Sequence, residues 1–203
     1  MKTKQQEPRQ DPEATPLGTR ERIVRTTSRL MQRQGYQGTG VKQIAREAEA
    51  TLGSVYHFFP GGKQELGTAA VRHGDEEFAD ILEKMLAAED SPATAILVLT
   101  KVLGEGLRDS DWLDGCPVTS TVVGTAGDSP GIQEAAAEAF ARWRALVADA
   151  LRRAGFGERD AAELAYTVIS ALEGAEMAAQ VARSTEPLEV VGRHLARLIE
   201  SYR

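Results

Sequence analysis

Between Thr51 and Lys63 the chain reads TLGSVYHFFPGGK, and its side chains are suited to meeting an anion. The hydroxyls of Thr51, Ser54 and Tyr56, the His57 imidazole and the Lys63 ammonium can each hydrogen-bond a phosphate oxygen. Gly53 and Ser54 are small enough to let the backbone come close to a large partner. A tyrosine, a histidine and two phenylalanines fill four consecutive positions in a protein that is only 5% aromatic. Val55 and Phe59 are four apart and share a helical face, so they are expected to pin the segment to a core and turn Tyr56 and His57 outward. Such clusters are more often core themselves. The Pro60-Gly61-Gly62 stop, with Lys63 in register behind it, favours the outward reading for Tyr56. His57 stays open, because a half-buried histidine bonded to a carbonyl would look the same.

Other reactive residues are sparse. No nucleophile–base pair, metal cluster or phosphate loop occurs at meaningful spacing, so no catalytic residue, no metal and no cofactor is expected. His73 and His194 are far apart and are expected to be structural or exposed. Cys116 is the single cysteine, which excludes an intramolecular disulfide and a cysteine-based zinc site. It precedes Pro117 in an apolar neighbourhood and is expected to pack, with a thiol sensor as the alternative.

The elements that must position these groups are all helical. Thr19 to Gln34 reads as a helix closed by Gly35, with Ile23, Leu30 and Met31 on one side and arginines largely on the other. After GYQGTG, Val41, Ile44, Ala45 and Ala48 repeat as one buried face of a second, short helix. Thr51 is placed to N-cap a third helix that runs to Phe59. A helix followed by two short ones joined by a tight turn is the helix-turn-helix arrangement, whose last helix enters the DNA major groove. Six further helices are expected: about Lys63–Ala88, Pro92–Arg108, Val118–Ala126, Ile132–Ala154, Asp160–Arg183 and Pro187 onward. Nine helices without a convincing strand give an all-α fold.

Charge divides along the same lines. Through residue 72 the chain holds 12 basic and 7 acidic side chains, a net +5, and the overall −6 leaves −11 for the rest. A positive head on a negative body suits a protein whose head alone meets phosphate. The opening MKTKQQEPRQDPEATP lacks the apolar stretch of a secretory signal and is read as a disordered tail over residues 1–16. No window is apolar enough to span a membrane, and cytoplasm is the default.

GTGVKQIAREAEATLGSVYHFFPGGKQEL resembles the N-terminal signature of the tetracycline-repressor (TetR) family of bacterial regulators, with its Val-x-x-Ile-Ala, turn, Gly-Ser-x-Tyr-x-x-Phe and Lys in order. The Pro-Gly-Gly-Lys ending, GCPV from Gly115 and AFARWRALVADALRRAG are similar to the LmrA/YxaF-type branch. The resemblance implies a three-helix DNA-binding head over 17–70 and a ligand-binding and dimerisation domain over 71–203. It implies DNA contacts from Thr39, Lys42, Thr51, Leu52, Gly53, Ser54, Tyr56, His57 and Lys63. Two positions depart from the family pattern. Glu49 stands where a left-handed turn usually has glycine, at a cost of roughly 1 kcal/mol. Leu52 stands where a polar residue is common, and it either touches a thymine methyl or packs.

Phe78, Met85, Leu103, Trp112, Cys116, Phe140, Trp143 and Met177 would ordinarily fill a core, but their region resembles the family's ligand pocket. Glu173 and Glu176 could meet a cationic ligand or a partner subunit. Leu164, Val168 and Leu172, with Leu188, Val191, Leu195 and Leu198, form seams on the last two helices, buried within one subunit or forming a two-fold dimer interface. The dimer is favoured, because one short reading head buries too little surface for tight specific binding. The expected protein is thus a homodimeric repressor of a palindromic double-stranded DNA operator, released by a small, largely apolar effector. A helical interaction module with weakened DNA binding and a small helical enzyme are the rivals.

Overall fold

The computed structural model describes residues 17–125 and 128–202. Its order is α1 (Thr19–Gly38), α2 (Val41–Glu47), α3 (Leu52–Phe58), α4 (Lys63–Ala88), α5 (Pro92–Asp109), α6 (Pro117–Val122), a 3-10 turn (Val123–Thr125), α7 (Pro130–Arg153), α8 (Glu158–Ala182) and α9 (Glu186–Ser201). The described residues form no strand. The expected tail over 1–16 and the expected helix end at Ala126 lie outside the described residues.

Local chemistry sets the helix ends. Ser91 accepts the amide of Thr94 at 3.1 Å ahead of Pro92, and proline stands within the first two positions of α5, α6, α7 and α9, where its missing N–H costs nothing. Gly35 does not close α1 outright: the helical path breaks there (φ 70°, ψ 172°) and resumes to Gly38. α3 stops one residue earlier than expected, with Phe59 as its C-cap. α8 ends before Arg183, which takes the left-handed conformation.

Packing forms two principal cores. The smaller one joins Ile23, Val24, Leu30, Ile44, Ala45, Ala48, Val55, Phe59 and Leu66, and thus ties α1, α2 and α3 to the start of α4. The larger one lies among α4, α5, α7, α8 and α9 and takes Met31 and Tyr36 from the far end of α1. α1 and α4 therefore serve both cores. Two glycines let α4 pass close to its neighbours. A Cβ at Gly67 would lie 2.6 Å from Ile132 Cδ1 on α7, and one at Gly74 would lie 2.6 Å from Pro117 Cγ on α6.

Candidate nucleic-acid interface and its internal cavity

The turn before α3 is held by its own backbone and by α1. Ala50 N donates to Ala45 O at 2.9 Å, and Arg22 Nε donates to Ala48 O at 3.3 Å. Glu49 sits at φ 51°, the left-handed geometry expected of that position. Asparagine tolerates this region better than a longer side chain. Glu49→Asn is expected to stabilise the protein by about 0.5–1 kcal/mol, raising the melting temperature by a few degrees. Calorimetric melting of the two proteins checks this.

Thr51 caps α3 as expected, its Oγ1 accepting the Ser54 amide at 3.0 Å. Val55 and Phe59 are buried, at 0% and 1% exposure, while Tyr56 is 52% and Leu52 40% exposed. Thr51, Gly53 and His57 are also exposed, Ser54 is half-buried, and Lys42 projects into solvent from α2. Leu52 therefore does not pack away. The Gly62 turn, at φ 64°, brings the backbone against the Tyr56 ring: a Cβ there would stand 3.6 Å from Cε1.

Two expected DNA contacts differ. Thr39 is fully buried, its hydroxyl donating to Gly35 O at 2.8 Å, so it bridges the break at the end of α1 rather than facing outward. Lys63 is half-buried, with its ammonium 4.5 Å from the Tyr36 ring centroid and donating to Gln37 O at 3.4 Å. Burial holds this ammonium below the ordinary lysine range. It ties α4 to the end of α1, and any phosphate would share it. Two of the α1 arginines are likewise engaged within the head: Arg25 pairs with Glu21, and Arg20 lies over the Phe59 ring.

Behind the head, two adjoining cavities of about 310 and 220 Å³ share Gly115, Cys116, Glu173 and Glu176 in their walls. Phe78, Leu103, Cys116 and Glu173 line the larger one, and Met177 lines the smaller, as expected of a pocket. The other four expected lining residues stand elsewhere. Trp143 is fully buried, with Nε1 donating to Asp75 Oδ1 at 2.8 Å, and it fills the core between α4 and α7. Met85 and Phe140 pack against that same core, and Trp112 packs against a third cluster of Leu107, Ala175, Ala179 and Leu188. All four are bulky apolar residues, and sequence alone does not separate a lining residue from a filling one.

The cavity carries acid. Burial, together with the neighbouring Glu173 carboxylate, raises Glu176 to about 8, and burial raises Glu173 against the hydrogen bond it accepts from Thr119 Oγ1 at 2.5 Å. Burial and both carboxylates push the Cys116 thiol well above its ordinary value. The thiol-sensor alternative needs the opposite shift. Native Cys116 is expected to react with iodoacetamide at neutral pH at least tenfold more slowly than in denaturant, where the shift is absent; mass-spectrometric labelling checks this.

Sequence reading missed the other polar members of these walls: Gln32, Glu77, Asp114, Thr119, Ser120 and Gln180. One signal was available, since Glu173, Glu176 and Gln180 repeat at three and four along the otherwise apolar last three turns of α8. It also missed the join between cavity and head. Gln32 Nε2 donates to Gly115 O at 2.6 Å, and the Arg33 guanidinium forks onto Asp114. The same segment is held from α8 by Gln180 Nε2 donating to Leu113 O at 3.2 Å.

The expected dimer seam needs correction. Leu164, Val168, Leu172, Leu188 and Leu195 are all 5% exposed or less and pack inside the protomer's own cores. Their spacing marks the inner face of α8 and α9. Only Val191 and Leu198 are partly open. The outer face instead carries Ala171, Gly174, Ala178, Ala182, Pro187, Val190 and Val191 along one shallow groove.

A short helix with a buried anchoring face and an open one, mounted on a helical body that carries a half-open cavity, defines a helix-turn-helix DNA-binding protein. Residues 23–70 match the model for bacterial regulatory proteins of the tetR family, and residues 92–194 match that for the C-terminal domain of LmrA/YxaF-like transcriptional regulators. The chain belongs to this family of transcriptional regulators. It is 32% identical over 181 residues to the HTH-type transcriptional regulator YxaF of Bacillus subtilis, covering 89% of this chain and 95% of that one. It is 33% identical over 170 residues to LmrA of the same organism, with coverage of 84% and 90%. Among solved structures, a TetR regulator from Chloroflexus aurantiacus aligns with a TM-score of 0.73 at 26% identity, over 90% of this chain and 94% of that one. The reduced form of Escherichia coli NemR aligns at 0.76, with 24% identity over 88% and 96%, which bears on the fold alone. No helix among the described residues is long and apolar enough to cross a membrane.

Proposed function

We propose that the protein is a cytoplasmic, homodimeric repressor that reads a two-fold symmetric operator with α3 and leaves it when a small molecule fills the cavity. The observation that carries this reading is the split of α3 into a fully buried Val55 and an open face of Leu52, Gly53, Tyr56 and His57. Leu52 meets a thymine methyl, and Tyr56 and His57 meet phosphates. Lys42 adds charge from α2. Pairing of two protomers uses the outer groove of α8 and α9, where small residues allow close helix approach.

Release follows from the grip on residues 113–116. An effector that seats more favourably when Gly115 and Cys116 move apart from α8 would pull on Gln32 and Arg33, and through α1 on the head. Only such a difference in affinity between two arrangements produces release. A small-molecule enzyme has no support in the relatives, which are named as transcriptional regulators. The exposed Glu49 carboxylate beside α3 favours a second reading, an interaction module with weakened DNA binding.

Footprinting on DNA upstream of the protein's own gene separates the two. The repressor protects a palindrome, with affinity falling steeply as salt rises. The module protects nothing, and its function survives joint substitution of Tyr56 and Lys63.

A further inference from the structure

The charged side chains among the described lining residues of the two cavities are all acidic. Their walls carry four carboxylates, Glu77, Asp114, Glu173 and Glu176, and none of their described lining residues is Lys, Arg or His. Two of the four are engaged outside the wall: Asp114 pairs with Arg33, and Glu77 lies 3.3 Å from His73 Nε2. The other two face inward. Glu173 accepts a hydrogen bond from the Thr119 hydroxyl, and Glu176, one helical turn on, stands in both cavity walls. The rest of the larger cavity is mostly apolar, with Phe78, Ile81, Val102, Leu103, Leu107 and Pro117. Burying two carboxylates beside apolar side chains without a countercharge is costly, and a cation between them offsets that cost.

We propose that the cavity takes a lipophilic cation, its apolar body against Phe78, Ile81, Leu103 and Leu107 and its protonated amine or amidine between Glu173 and Glu176. This rests on the effector reading above and names the chemical class of that effector. The charge requirement has a pH signature. Burial and the Glu173 carboxylate raise Glu176 to about 8, and a cation binds best to its ionised form. Binding below that pH therefore expels a proton, and affinity rises about tenfold per pH unit until it levels off above about 8. The other titratable groups facing Glu176 are Glu173 and Cys116, with Glu77 and Asp114 further along the wall; α5 and α6 contribute no further ionisable side chain to it. Glu173 shifts in the same direction, and the Cys116 thiol stays neutral across the range.

The test uses para-butylbenzylammonium and para-butylbenzyl alcohol, nearly equal in shape and different in charge, titrated by calorimetry into the full-length protein. The cation is expected to bind at least tenfold more tightly than the alcohol, with the stated rise in affinity between pH 6 and pH 8. The gap is expected to shrink to within about twofold in the Glu173→Gln, Glu176→Gln double variant, and to narrow in Glu176→Gln alone, which serves should the double variant not fold. Equal binding of alcohol and cation, or a gap that survives in the variants, overturns the proposal. Operator binding measured in the same solutions separates the two levels. Charge-dependent binding that leaves the protein on DNA upholds the cation site and refutes release by effector. Release by the alcohol as efficiently as by the amine upholds release and refutes the cation site.

Discussion

Tyr56→Ala is expected to weaken operator binding by at least on the order of a hundredfold while leaving the unfolding transition almost in place. The two halves of this expectation have separate causes. Tyr56 is half-exposed on α3, and the anchoring of that helix falls to Val55 and Phe59. Removing the ring therefore opens no cavity in the head. Its hydroxyl is placed to donate to a phosphate, and a hydrogen bond to a charged group contributes roughly 1.5–3 kcal/mol. A dimer loses that bond at both half-sites, about 3 kcal/mol or more in sum. Fluorescence anisotropy against the protected DNA, at one fixed salt concentration, measures the loss. Val55→Ala is the contrasting control: it removes volume from a fully buried position in the smaller core and should cost stability and binding together.

Trp143→Ala is expected to carry the largest stability penalty of any single substitution considered, about 3–5 kcal/mol. Trp143 is the largest fully buried side chain, and its ring meets Phe78 edge-on at 4.7 Å and Phe140 at 5.0 Å. Its indole N–H also donates to Asp75, whose other partner among the described residues is Arg142 at 3.5 Å. Domains of this size are stable by roughly 5–15 kcal/mol, so the variant would stand near the edge of folding. Trp143→Phe keeps most of the packing but leaves Asp75 short of a donor, and a smaller loss is expected. Urea unfolding of the three proteins gives the order. A Trp143→Ala protein as stable as wild type would contradict the assignment of this residue to the core.

The head was far more legible in sequence than the body. Its instructions are local: Thr51 caps, the Pro60–Gly62 stop ends α3, and the spacing of Val55 and Phe59 fixes which face is buried. Even the strained turn at Glu49 could be placed from the residues around it. Thr39 was misread because nothing local distinguishes an exposed helix-start hydroxyl from one folded back onto Gly35. In the body the relevant distinctions are three-dimensional. Leu164 and Leu195 repeat like a seam, but periodicity marks a buried face without saying whether the same chain or another covers it. Trp143 and Phe78 are both large and apolar; one fills a core and the other bounds a cavity, and the difference depends on helices far apart in the chain. The acidic wall was half visible: Glu173 and Glu176 interrupt an apolar stretch of α8, whereas Asp114 and Glu77 reach the same space from other elements.

The most direct measurement is a footprint, by hydroxyl radical, on the DNA upstream of the gene, made with wild-type protein and with Tyr56→Ala. Two symmetric protected half-sites, occupied by one pair of protomers and lost in the variant at the same concentration, are the expected pattern. An unprotected duplex, or protection that the variant reproduces in full, would contradict the placement of the face between Leu52 and Phe58 against DNA.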